Sequence, residues 1–111
     1  MSTVLDPGSL KTRVGLFSQE SLPDGHGGHE QQWNLVGEFN VRLEPVAGFS
    51  RTLARTLESG ITHQVTMRSR PDVRVSMELR SQGRRFEIAT MRDPDETGRY
   101  WLLDCREVQQ V

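Results

Sequence analysis

The sequence predicts a mainly β fold: a small antiparallel β-barrel of about six strands with one short α-helix. Three observations carry this. Apolar and polar residues alternate over several short segments, the period of a half-buried strand. Turn residues punctuate those segments at short intervals. Only 46–60 has helical spacing and could serve as a crossover, and no other strand is separated from the next by the full helix that a parallel sheet needs. Closing such strands into a barrel removes exposed edges.

Residues 1–9 contain Asp6-Pro7-Gly8-Ser9 and show no periodicity, and read as a flexible N-terminal arm. Residues 10–111 then form a single domain. Residues 10–19 make a first strand, with Val14 and Leu16 on one face and Arg13 and Phe17 on the other. Glu20–Gln32 reads as a 13-residue loop, because Pro23-Asp24-Gly25 is a turn signature and Gly27-Gly28 adds freedom. It is longer than the ~2–5 residues of ordinary hairpin loops, and loops of this length are usually functional or mobile. In residues 33–45, Trp33, Leu35, Gly37, Phe39, Val41 and Leu43 fall on one face. Gly37 marks a bulge or a close backbone approach.

A helix is expected from Phe49 or Ser50 to Ser59, with Ser50 as N-cap and Gly60 in the left-handed closing position. Phe49, Leu53 and Leu57 form its apolar stripe; Arg51, Arg55 and Glu58 lie outside. The next strand, Ile61–Ser69, places Ile61, His63, Val65 and Met67 together. After the turn Arg70-Pro71-Asp72, Val73, Val75, Met77 and Leu79 alternate again. Gln82-Gly83 is a tight turn into Arg84–Thr90, where Phe86 and Ile88 point together. Asp93–Gly98 is a polar loop, and Arg99–Val108 closes the fold with Trp101, Leu103 and Cys105 on one face.

Hydrophobic residues make up 34% of the chain, and the ten Gly still leave it below the ~45–50% of typical domains. So thin a core suggests stabilisation by neighbouring subunits. Formal net charge is −1 but unevenly spread. Residues 1–50 carry three basic and six acidic side chains, 51–92 nine and four, and 93–111 two and five. Opposite charges on opposite faces would suit a heterologous, ring-closing contact between copies. A single cysteine excludes an intrachain disulfide. No apolar run approaches a membrane span, and the N-terminus lacks the pattern of a signal peptide, so a cytoplasmic protein without membrane contact is expected.

No motif carries a catalytic chemistry. His26, His29 and Glu30 are ligand types, but a structural metal site wants about four positioned groups. Here they sit in a glycine-rich loop without a distant partner, so no metal is assigned. His63 falls on an apolar face and reads as a core or interface histidine. Cys105 shares its phase with Trp101 and Leu103 and reads as a buried apolar residue. The pairs Asp104/Glu107 and Asp93/Asp95 surround no evident cleft. The chain is therefore expected not to be an enzyme and to need no cofactor. Arg68, Arg70, Arg74, Arg80, Arg84 and Arg85 form a basic stretch that would suit single-stranded nucleic acid, but the aromatic platforms for base stacking are missing there.

A set of phrases carries a resemblance. Lys11-Thr12-Arg13-Val14 opens the first strand, and Trp33 follows the glycine-containing loop. Val41-Arg42-Leu43-Glu44-Pro45, the helix and Thr62-His63-Gln64-Val65-Thr66-Met67-Arg68 come next. Gly83-Arg84-Arg85-Phe86-Glu87-Ile88, Asp93-Pro94 and Cys105-Arg106-Glu107 complete it. In this order the chain resembles the head-closure (head–tail joining, or stopper) proteins of long-tailed phages and phage-like gene transfer particles. The resemblance implies a structural virion neck protein. It implies a homo-oligomeric ring, usually dodecameric, with the portal and adaptor above and a tail-terminator or other tail protein below. Such a ring closes the DNA-filled head, receives the tail and lets packaged DNA pass through its channel. In some members the loop between the first two strands gates that channel. The matching tip here is Pro23, Asp24, Gly25, His26, Gly27, Gly28 and His29. Arg51, Arg55, Arg84 and Arg85 are the candidate subunit or ring contacts. A tail-terminator or tail-completion ring, or a single-stranded nucleic-acid-binding barrel, would share parts of this pattern.

Overall fold

The computed structural model of the chain describes residues 7–46 and 60–108. After a 3-10 turn at Pro7–Ser9 come β1 (Thr12–Pro23), β2 (His29–Pro45), β3 (His63–Arg68), β4 (Glu78–Ser81), β5 (Arg84–Arg92) and β6 (Tyr100–Glu107). All neighbouring pairs are antiparallel, and the order β1-β2-β3-β6-β5-β4 closes into a barrel. The expected helix, with Arg51 and Arg55, lies outside the described residues.

Alternation explains the core. Val14, Leu16, Val41, Val65, Met67, Leu79, Phe86, Ile88, Leu103 and Cys105 point inward and are buried. Phe39, Leu43, Met91 and Trp101 pack around them. Gln82 and Gly83 form the two-residue β4–β5 turn with φ of 51° and 80°, the left-handed backbone such a hairpin turn demands.

The structure corrects three expectations. First, Glu20–Gln32 is not a loop. Strand pairing continues from Glu20↔Gln32 out to Pro23↔His29, leaving only residues 24–28 outside the strands. Cross-strand pairing satisfies backbone groups that a long loop would have left to water.

Second, the β2 face is broken. The register jumps from Leu16↔Gly37 to Phe17↔Leu35, so Val36 has no opposite residue. A bulge of this kind exchanges faces. Phe39, Val41 and Leu43 remain on the core side, whereas Leu35 and Trp33 turn outward with Phe17, and Leu35 is 55% exposed. Gly37 does sit at this bulge, and at a close approach: a Cβ there would lie 2.7 Å from Nη2 of Arg70.

Third, residues 73–77 do not form a strand. Val73 and Met77 are buried but Val75 is exposed. Ser76 adopts φ of 79°, which interrupts the alternation. The Met77 amide donates to the Arg74 carbonyl, and the Arg74 amide to Met77 Sδ. Pairing resumes only at Glu78.

Ladder lengths shape the molecule. β1 meets β4 only at Gly15–Phe17, and β2 meets β3 only at Arg42–Pro45. Beyond Phe17 and before Val36 the two strands pair, among the described residues, only with each other, so the β1–β2 hairpin leaves the barrel as an arm. The six steps from Phe17 to Pro23 span roughly 20 Å at strand rise. The radius of gyration is 15.3 Å and the longest dimension 55 Å against 29 and 26 Å. A compact domain of this length would have a radius near ~13 Å, and a projecting arm enlarges it.

Candidate functional site

The arm tip is built by Asp24. Its Oδ1 accepts from the amides of His26 (2.7 Å) and Gly28 (3.1 Å), and its amide donates to the Gly28 carbonyl. Gly25 and Gly27 take φ of 82° and 85°, where a side chain would be strained. Pro23 ends β1 and His29 begins β2, so the seven candidate tip residues stand together at the far end of the arm. From Val14 to Val41 there is no Lys or Arg, while Glu20, Asp24, Glu30 and Glu38 are present. The arm is therefore an acidic projection. Among the described residues no group of three His, Cys, Asp or Glu side chains is placed to hold a metal ion.

The arm's base is braced by a cluster that sequence reading missed. Glu78 is 3% exposed although it lies on the outer side of β4. Arg85 reaches it through Nε (2.8 Å) and Nη2 (2.7 Å), and Arg80 through Nε (3.0 Å). Arg80 also stacks on Phe17 (4.4 Å to the ring centroid) and Trp33 (5.0 Å), and Arg85 lies 5.7 Å from Trp33. Burial pushes the Glu78 carboxyl up, but the hydrogen bonds from Arg85 and Arg80 outweigh it and hold the group below its ordinary range. A two-residue spacing, Glu78 to Arg80, shared by a strand face was the available signal. The bulge that turns Trp33 outward was not readable.

At the opposite mouth, where β1, β3 and β5 start, Arg84 donates to Glu107 through Nε (2.9 Å) and Nη2 (3.1 Å). Its Nη2 also lies 3.3 Å from His63 Nε2. An Arg can only donate, so His63 accepts at Nε2 and holds its proton at Nδ1, 3.0 Å from Thr62 Oγ1. Burial lowers the His63 pKa most, Arg84 lowers it further, and Glu107 opposes them. The imidazole is thus neutral at neutral pH and rests edge-on against Phe86, 4.9 Å between centroids.

The interface candidates accordingly separate. Arg84 is half exposed with a half-buried partner, whereas Arg85 is tied to the buried Glu78. Most of the basic stretch is neutralised within the chain, since Arg70 is held by Asp72 and Arg80, Arg84 and Arg85 by Glu78 and Glu107. Burial, then the neighbouring Asp104, pushes the Cys105 thiol up to about 12, which removes it as a nucleophile.

Comparison with known proteins decides the relationship. A family model described as phage head completion protein matches residues 5–108. The chain belongs to the phage head completion protein family. No curated protein matches the sequence significantly. Two solved structures share the fold. Protein SF1141 from Shigella flexneri 2a, a solution structure, is 18% identical over 96% of this chain and 100% of its own, with a TM-score of 0.75. A chain from the virion of a native gene transfer agent particle is 22% identical over 89% of this chain and 96% of its own, with a TM-score of 0.61. Membership makes this a phage head completion protein, a structural component of the virion.

Proposed function

We propose that the protein forms a homo-oligomeric ring, a dodecamer, in the particle neck. The ring sits between the portal or adaptor and the tail, closes the DNA-filled head and offers the tail its docking surface. Copies fold and assemble in the cytoplasm of the bacterial host. Pro23, Asp24, Gly25, His26, Gly27, Gly28 and His29 face the axial channel and act as the gate.

The observation that carries this reading is the cation-free arm. It projects from a closed barrel, has acidic side chains and ends in a narrow, Asp24-ordered tip. DNA carries about one negative charge per ~1.7 Å of duplex axis, so an acidic tip does not bind passing phosphates. The barrel in turn supplies a rigid mount through the Glu78 brace.

The test is to replace residues 24–28 by Asn-Gly, a two-residue turn that keeps the β1–β2 register. The expected outcome is an unchanged fold with particles that lose packaged DNA faster. An unchanged leak rate from particles containing the variant would remove the gate from the proposal. Charge reversal at Arg84 is expected to reduce tailed particles while sparing the monomer. At Arg85 the same change sets a carboxylate against buried Glu78 and destabilises the monomer itself.

A further inference from the structure

β1 and β4 part company at the lower mouth. Their ladder ends at Gly15↔Arg80, so among the described residues Thr12–Val14 have no strand partner on that side. The gap is a groove of about 590 Å³ whose lining includes Lys11, Arg13, Arg80, Arg84, Gln82 and Glu38. Arg80 and Arg84 are already bound to Glu78 and Glu107. Lys11 and Arg13 are exposed and form no ion pair among the described residues. Glu38 is the one acid among the lining residues.

On the opposite wall, β6 is preceded by the β5–β6 loop with Asp93, Asp95 and Glu96. This loop is ordered by its own carboxylates. Asp93 accepts from the amides of Asp95 (3.3 Å) and Gly98 (2.6 Å), and Asp95 from the Thr97 amide (3.2 Å) and hydroxyl (2.7 Å). The apex is Glu96, exposed, with φ of 59°. Glycine or asparagine is at ease there, so a Glu side chain is held out at a conformational cost. Among the described residues the one cation bonded to the loop is Arg99, exposed and 3.8 Å from Asp95. In the order β1-β2-β3-β6-β5-β4, β1 stands across the barrel from β6. The basic groove and the acidic loop therefore lie on opposite walls and at opposite ends.

Two complementary patches so placed cannot meet within one chain, and on two copies they make a heterologous contact, the kind that propagates into a ring. We infer that the Glu96-tipped β5–β6 loop of one copy seats in the Lys11–Arg13–Arg84 groove of the next. The groove's partner is thus a second copy of this chain. Glu96 meets Lys11 and Arg13, and loop backbone meets the unpaired edge of Thr12–Val14. The inference rests on the ring reading above and specifies its subunit contact. The arm tip, with its acids spread over eleven residues from Glu20 to Glu30, is the competing occupant.

Cysteine cross-linking in assembled particles tests this. The chain carrying both Arg13→Cys and Glu96→Cys is expected to give a ladder of disulfide-linked multimers under oxidising, non-reducing conditions. Either single variant should give none beyond background, and buried Cys105 does not interfere. Charge exchange is the second measurement. Arg13→Glu and Glu96→Arg should each lower particle yield on the order of tenfold, and together restore it. Particles that contain the double-cysteine chain without a ladder would overturn the contact and leave the ring standing. A ladder from Arg13→Cys with Asp24→Cys would overturn it in favour of the arm. Absence of a ring of the unsubstituted chain from the neck would instead sink the ring reading itself.

Discussion

Glu78 is the residue on which the arm depends. A carboxylate this buried is tolerable only because two guanidinium groups satisfy it. Glu78→Gln should cost roughly 2 kcal/mol in urea unfolding, below the ~3–5 typical of a broken buried pair because both arginines keep access to water. The same change should flatten the acid limb of stability. A carboxyl whose folded pKa lies below its unfolded value binds more protons when unfolded, so its contribution is full above pH 4.5, the unfolded value, and is lost as pH falls through the folded one. The wild-type protein should therefore lose stability steeply below pH 4.5, and Glu78→Gln less so. His63 adds a milder loss at higher pH, since its lowered pKa makes protonation unfavourable to the fold as pH drops below 6.5. A thiol reagent at pH 8 should leave Cys105 unmodified in the native state and label it in urea. Burial of Cys105 was readable from its phase with Trp101 and Leu103. Burial of Glu78 was not, because the two arginines that bind it, Arg80 and Arg85, lie over Trp33, 45 residues away in sequence from Glu78 and turned outward by a bulge.

At the scale of elements, pairing was legible wherever alternation ran uninterrupted, as in β3 and in β5 up to Ile88, where the register with β6 shifts. It failed at two places where backbone geometry overrode the pattern. Ser76 with its left-handed φ cut the apparent 73–79 strand short, and the Val36 bulge divided the β2 face. The Pro, Asp and Gly of the arm tip read as a long loop because turn residues were weighed without the cross-strand pairs that carry Glu20–Gln32 into the ladder. The β4–β5 turn offers a direct check. Gly83→Ala places a Cβ at φ of 80° in open space, so the cost is backbone strain alone, about 1 kcal/mol, measurable by thermal unfolding. Shortening the arm at residues 24–28 should by contrast change stability by less than ~0.5 kcal/mol, since the tip touches nothing in the core.

For the whole molecule, a closed barrel leaves few ways to oligomerise through its body, because among the described residues only the arm, the mouths and the β1–β4 gap present unpaired edges. Family membership was legible in the ordered phrases from Lys11 to Glu107. The spatial opposition of basic groove and acidic loop was not, because it depends on which strands face each other across the barrel. Head closure by a ring is the central claim, and electron microscopy of the neck in particles assembled with this chain tests it most directly. The expected result is one ring of copies between the portal or adaptor and the tail, with the Pro23–His29 tips lining the channel. A neck without such a ring, or with the chain bound elsewhere on the particle, would contradict it.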